Sequence, residues 1–154
     1  MKFENQDLKQ AGEVVQSFLA INKALIQFTQ KNAASFGLTM QQMSILNLIY
    51  SIPGLTFKSI TEKLMMPKST VSMSVDGLVE LGLIERKQST EDRREVNLTV
   101  TLKGKEIAQK SIENASSYRA MAAALENFSE EEIELLLQIH HNLQVSLQKI
   151  ASNK

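Results

Sequence analysis

Asp92, Arg93 and Arg94 stand side by side in the segment EDRREVNLTVT, and Lys68, Ser69, Thr70, Ser72 and Met73 crowd the start of PKSTVSMSVDGLVELG. Guanidinium groups bind phosphate oxygens and enter narrow A·T minor grooves. An adjacent aspartate can hold one of them in a fixed pose through a charge-assisted hydrogen bond. Small hydroxyl side chains at a helix start suit a major groove, where base edges are read, and the free N–H groups of the helix favour a phosphate. The chemistry on offer is therefore recognition of a nucleic acid. Taken singly, each cluster also has a plainer reading: a solvated charged turn worth little in stability, or an amphipathic helix with hydroxyls on its wet face. Their order along the chain favours the first reading.

Catalytic chemistry has no comparable support. The chain shows no glycine-rich phosphate loop, no Cys/His pair and no motif of paired carboxylates, so no enzyme and no cofactor are expected. Cysteine is absent, which removes disulfides, thiolate metal sites and cysteine-based redox switching. The two histidines, His140 and His141, are adjacent, and in a regular helix they point about 100° apart. They do not form an i, i+4 metal pair, and His140 reads as a hydrogen-bonded interface residue. No metal is expected. The 17 basic and 17 acidic residues cancel, so any positive surface must be local, felt over a Debye length of ~8 Å. No apolar run approaches the ~20 residues of a membrane span, and MKFENQDLKQ lacks the apolar stretch of a signal peptide. A cytoplasmic protein with no membrane partner is expected.

The elements that must position these residues can be read from periodicity and caps. A first helix over about 7–34 carries Val14, Phe18, Ile21, Leu25 and Phe28 on a broad apolar face and stops at Gly37. Thr39 and Gln42 form a capping box, with Leu38 and Met43 at staple positions, and that helix ends before Pro53-Gly54. Thr56 caps the short helix FKSITEKL. Pro67 is expected at the first position of a helix running to about Leu81, with Val71, Val75 and Leu78 inward. Strands over 83–88 and 95–100 follow, because Val96, Leu98 and Val100 alternate with polar neighbours. Thr101 then caps a long helix expected to reach about Glu126. A second capping box and staple, Phe128 to Ile133, opens a last helix to about Ile150. The fold expected is mainly α with a short β-hairpin: a winged helix-turn-helix between flanking N- and C-terminal helices.

With GLTMQQMSILNLIY, LTFKSITEKL, KSTVSMSVDGLVELGLIER and DRREVNLTVTLKG in this order, the chain resembles the multiple antibiotic resistance regulator (MarR) family of winged-helix transcription factors. The resemblance covers the whole chain. It implies a homodimer held by residues 1–36 and 102–154, with residues 37–101 as the domain that binds double-stranded DNA. It implies that the helix from Lys68 reads the major groove and that the wing tip reads the minor groove. Asp92 and Arg94 match the family's wing aspartate and arginine, with Arg93 between them, and Ser69, Thr70 and Ser72 match its recognition-helix positions. Thr56 and Lys58 are expected on the DNA backbone. Two departures stand out: Pro67 replaces a frequent serine, and Met73 replaces a frequent arginine. The family also implies a ligand-relieved repressor with a small apolar or aromatic effector, for which Met40, Met43, Met65 and Met66 could line a pocket instead of filling the core. Met73 and the zero net charge also leave a winged-helix protein-interaction module without DNA binding as the alternative.

Overall fold

The structure is a computed structural model that describes residues 5–88 and 96–152. Its first helix, α1 (Asn5–Ser35), closes with Gly37 in the left-handed region at φ 70°, a backbone conformation strained for a residue with a side chain, and Leu38 N–H donates to Ala33 O. Thr39 then caps α2 (Met40–Ser51) through the reciprocal bonds expected of it: Gln42 N–H donates to Thr39 Oγ1, and Thr39 N–H to Gln42 Oε1. Leu38 and Met43 are both buried, as a staple requires. Thr56 caps α3 (Phe57–Leu64), and α4 (Lys68–Glu80) follows after a three-residue turn.

Pro67 is the residue that precedes α4, not its first helical position. Its extended backbone (φ −57°, ψ 144°) lets its carbonyl accept from Val71 N–H at 3.1 Å, so proline starts the helix without a side-chain cap. The predicted inward set of α4 is buried, joined by Ser74. Strands β1 (Ile84–Gln88) and β2 (Val96–Val100) pair antiparallel, with Ile84 opposite Val100 and Arg86 opposite Leu98. Directly opposed residues share a face, so Arg86 lies on the side of the hairpin that carries the buried Ile84 and Leu98. The hairpin also gains a third edge: Asn97 bridges Thr56, which ties the wing to the start of α3.

Thr101 caps α5 (Leu102–Glu113), which seats closely on the α4–β1 turn. Thr101 Oγ1 donates to Gly82 O at 2.7 Å, its N–H to Leu83 O at 3.1 Å, and Lys103 Nζ to Leu81 O at 3.1 Å. A Cβ at Gly104 would lie 2.0 Å from the Leu83 carbonyl oxygen, so only glycine lets α5 seat on the α4–β1 turn.

The long helix expected from Thr101 to Glu126 is instead broken. Asn114 caps α5, and α6 (Ser116–Leu125) starts two residues later. The cause lies on α1: Asn114 Nδ2 donates to Asn32 Oδ1, Asn32 Nδ2 to Ser111 O, and Ser116 Oγ to Phe28 O, each at 3.0–3.1 Å. Asparagine and serine side chains that bond locally or across to another element compete with helix continuation. Ser111 Oγ extends the network to Asn47 on α2 at 2.8 Å.

The core of α2, α3, α4, the hairpin and α5 is built on Ile45, Leu46, Ile60, Val71, Leu78 and Leu83. The chain divides into two compact units after Ser117. The second holds most of α6 and α7 (Glu130–Ser152), the latter opened by the capping box of Ser129 and Glu132. No helix among the described residues is long and apolar enough to cross a membrane.

Candidate nucleic-acid interface

The α3–α4 turn is tight. Met65 adopts the left-handed conformation at φ 49°, unusual for a side chain without a short polar end, and Met66 N–H returns to Thr61 O at 3.2 Å. This turn delivers α4 with its start exposed. Lys68 and Ser69 are exposed, Thr70 and Ser72 are half-buried, and Met73 keeps 75% of its surface open. The first two turns of α4 carry no acid. Because Pro67 provides no side-chain acceptor, the first N–H groups of α4 remain available to an anion.

Two hollows flank α4. One, of about 650 Å³, lies between α3, α4 and the hairpin, with Phe57, Val75 and Leu98 among its apolar lining residues and Lys58, Lys68 and Arg86 as its cations. Thr56 and Ser72 also line it, so the structure brings four sequence-expected residues into one cleft: Thr56, Lys58, Lys68 and Ser72. Thr56 is partly committed, since its hydroxyl accepts from Ser59 N–H at 3.2 Å. Lys58 pairs loosely with Glu62 at 3.9 Å on an exposed helix face, a contact that a phosphate could replace. No ion pair engages Lys68 among the described residues. The other hollow, about 340 Å³, lies between α4 and the start of α2, and Thr39, Gln41, Thr70 and Met73 line it. Ser69 lines neither.

Arg86 is the residue that sequence reasoning missed. Its guanidinium bonds the Asp76 carboxylate across from β1 to α4, and both groups are about half exposed. The pair neutralises the first acid of α4 and fixes α4 against the wing. The signal was present in the alternation of LIERKQ, which puts Arg86 on the same face as Ile84. Asp92, Arg93 and Arg94, the expected wing tip, lie outside the described residues. Of the methionines that could have lined an effector pocket or filled the core, Met43 is in the core and Met66 packs on it, Met65 is 90% exposed, and none of these or Met40 lines either hollow. Among the described residues no group of His, Asp and Glu could hold a metal.

Comparison with known proteins agrees with this geometry. A family profile described as MarR family matches residues 36–95, from the end of α1 to the second strand. The crystal structure of a multiple antibiotic-resistance repressor from Listeria monocytogenes is 33% identical, over 94% of this chain and 99% of that one, with a TM-score of 0.65. FabT from Streptococcus pneumoniae, solved in complex with DNA, is 27% identical over 94% and 99% of the two chains, with a TM-score of 0.72. Among curated proteins, the transcriptional repressor YetL of Bacillus subtilis is 24% identical over 82% of this chain and 76% of its own. The chain belongs to the MarR family of winged-helix transcriptional regulators.

Proposed function

We propose that the chain is a homodimeric, sequence-specific DNA-binding repressor of transcription, acting in the cytoplasm by binding alone and released from DNA by a small apolar or aromatic ligand. The observation that carries the reading is the start of α4: exposed, free of acids, rich in hydroxyls, and tied to a wing through Asp76 and Arg86. Lys68, Ser69, Thr70, Ser72 and Met73 face the major groove in this reading, while Thr56 and Lys58 meet the backbone and Asp92, Arg93 and Arg94 form the minor-groove contact. The FabT complex with DNA supports the choice of partner, and the repressor name of YetL supports the sign.

Dimerisation follows from apolar surface that one chain leaves open. On α7, Leu136, Ile139, Leu143, Leu147 and Ile150 form an exposed stripe at spacings of three and four, and α1 exposes Val14, Leu19 and Ile21. A symmetric dimer would present two α4 helices to successive major grooves ~34 Å apart. A ligand that favours a different dimer geometry would release the operator.

The test is binding of the purified protein to fluorescent duplexes from its own upstream region across a salt series, beside Lys68→Ala and the double change Arg93→Ala, Arg94→Ala. We expect one fragment to bind with a steep salt slope, and each variant to lose both affinity and slope. Failure of every fragment at low salt would refute the reading and turn attention to a protein partner.

A further inference from the structure

We infer that Met73 reads a thymine methyl group in each operator half-site, an inference that rests on the proposed DNA binding and adds the base it selects. Ser69, Met73 and Asp76 follow one another on α4 at spacings of four and three, which places them on one outward face. Asp76 is held by Arg86, and Ser69 is short. Met73 is therefore the longest uncommitted reach of that face, with 75% of its surface exposed and no place in the core. The hollow beside it, bounded by α2, leaves its unbranched side chain room to choose a rotamer.

A thioether carries no hydrogen-bond donor and only a weak acceptor. Laid on the floor of a major groove, it has no donor for the O6 and N7 of guanine or the N7 of adenine, and only its weak acceptor for the amino groups of cytosine and adenine. Covering those atoms removes water and returns little. The C5-methyl of thymine is the one apolar group on that floor. Met73 therefore rewards thymine and penalises a polar edge at the same step. Burying one methyl is worth about a fourfold change in affinity. With both half-sites changed together the effect multiplies to about fifteenfold.

The experiment uses the full chain and whichever upstream fragment binds in the salt series. Each thymine is replaced by 2′-deoxyuridine, symmetrically in the two half-sites, which deletes the methyl and leaves every hydrogen-bonding group intact. Wild type, Met73→Ala and Met73→Leu are titrated against each duplex. The expected result is one thymine per half-site whose demethylation weakens wild type about fifteenfold. Met73→Ala should bind the thymine and uracil duplexes alike, and Met73→Leu should keep the preference. A flat uracil scan with wild type, on a fragment that binds, overturns the role of Met73 and leaves DNA binding standing. Methyl sensitivity that persists undiminished in Met73→Ala does the same. No binding to any duplex overturns DNA binding itself, and this inference with it. The wild-type scan needs no variant to fold, and the exposure of Met73 makes its replacement by alanine a surface change.

Discussion

Helices α2 and α7 begin by the same local rule and end in opposite situations. Thr39 with Gln42, and Ser129 with Glu132, each close a capping box in which the hydroxyl and the longer side chain satisfy one another's backbone N–H groups. Yet α2, of 12 residues, buries Met43, Ile45, Leu46 and Ile49, whereas α7, of 23 residues, buries none. A cap decides where a helix starts, and the rest of the chain decides what it covers. The lobe around α2 completes its core within one chain. The stripe on α7 has apolar residues of the same kind and no such enclosure, and it is the surface that the proposed dimer would cover.

The contrast is broken most directly at Leu46, which is fully buried. Leu46→Ala should cost about 3 kcal/mol through lost transfer energy and the cavity left behind. Urea unfolding followed by far-UV circular dichroism would read it as a lower midpoint. A cost below about 1 kcal/mol would mean that the lobe does not depend on its own core. Gly104→Ala comes next. Its Cβ has no position that avoids the Leu83 carbonyl, so α5 must shift from the α4–β1 turn, at about 2 kcal/mol. DNA affinity should fall with it, because Thr101 and Lys103 would lose their hold on the turn that ends α4.

What the sequence made legible follows the same division. Both capping boxes, the Gly37 stop and the inward set of α4 are set by neighbours within four residues, and each could be read from its own segment. The break between α5 and α6 could not, because it is imposed by Asn32, 82 positions from Asn114. Nothing in KSIENASSY distinguishes a helix that continues from one that stops until α1 is alongside. The bridge of Asn97 to Thr56 and the Asp76–Arg86 pair were hidden for the same reason, since both link elements that only the fold brings together. For the candidate site, the start of α4 was legible because its hydroxyls and lysine are consecutive. The pairing of its first acid with Arg86 was not.

The Asn32 network offers a change of intermediate size. Asn32→Ala removes a donor to Ser111 O and the acceptor of Asn114 Nδ2, in a place where Asn32 and Ser111 are nearly inaccessible to water. The expected cost is about 1–2 kcal/mol, from buried polar groups left without partners. Hydrogen exchange should accelerate most at the junction of α5 and α6. Uniform acceleration over the lobe would show that the network supports the core at large instead of the break.

The smallest effect on the lobe, and the most informative for the comparison, should come from Leu136→Ser together with Leu143→Ser. Neither residue is buried in one chain, so the unfolding of the lobe should change by less than about 0.5 kcal/mol when measured at concentrations where both proteins are monomeric. Association should respond in the opposite way. If the stripe is the dimer surface, the wild-type midpoint rises with protein concentration, because only the folded state assembles, and the variant's midpoint does not. Sedimentation should then give a dimer for one and a monomer for the other. Acid provides an independent handle on α7. The Glu131 carboxyl is held below its ordinary value by its own backbone N–H and then by the Ser129 hydroxyl. That stabilisation is complete above the ordinary glutamate range and fades as the pH falls through the lowered value, which weakens the start of α7. A double variant that stays dimeric at every concentration would place the self-association surface elsewhere. The exposed stripe of α7 would then be left without the partner its spacing calls for.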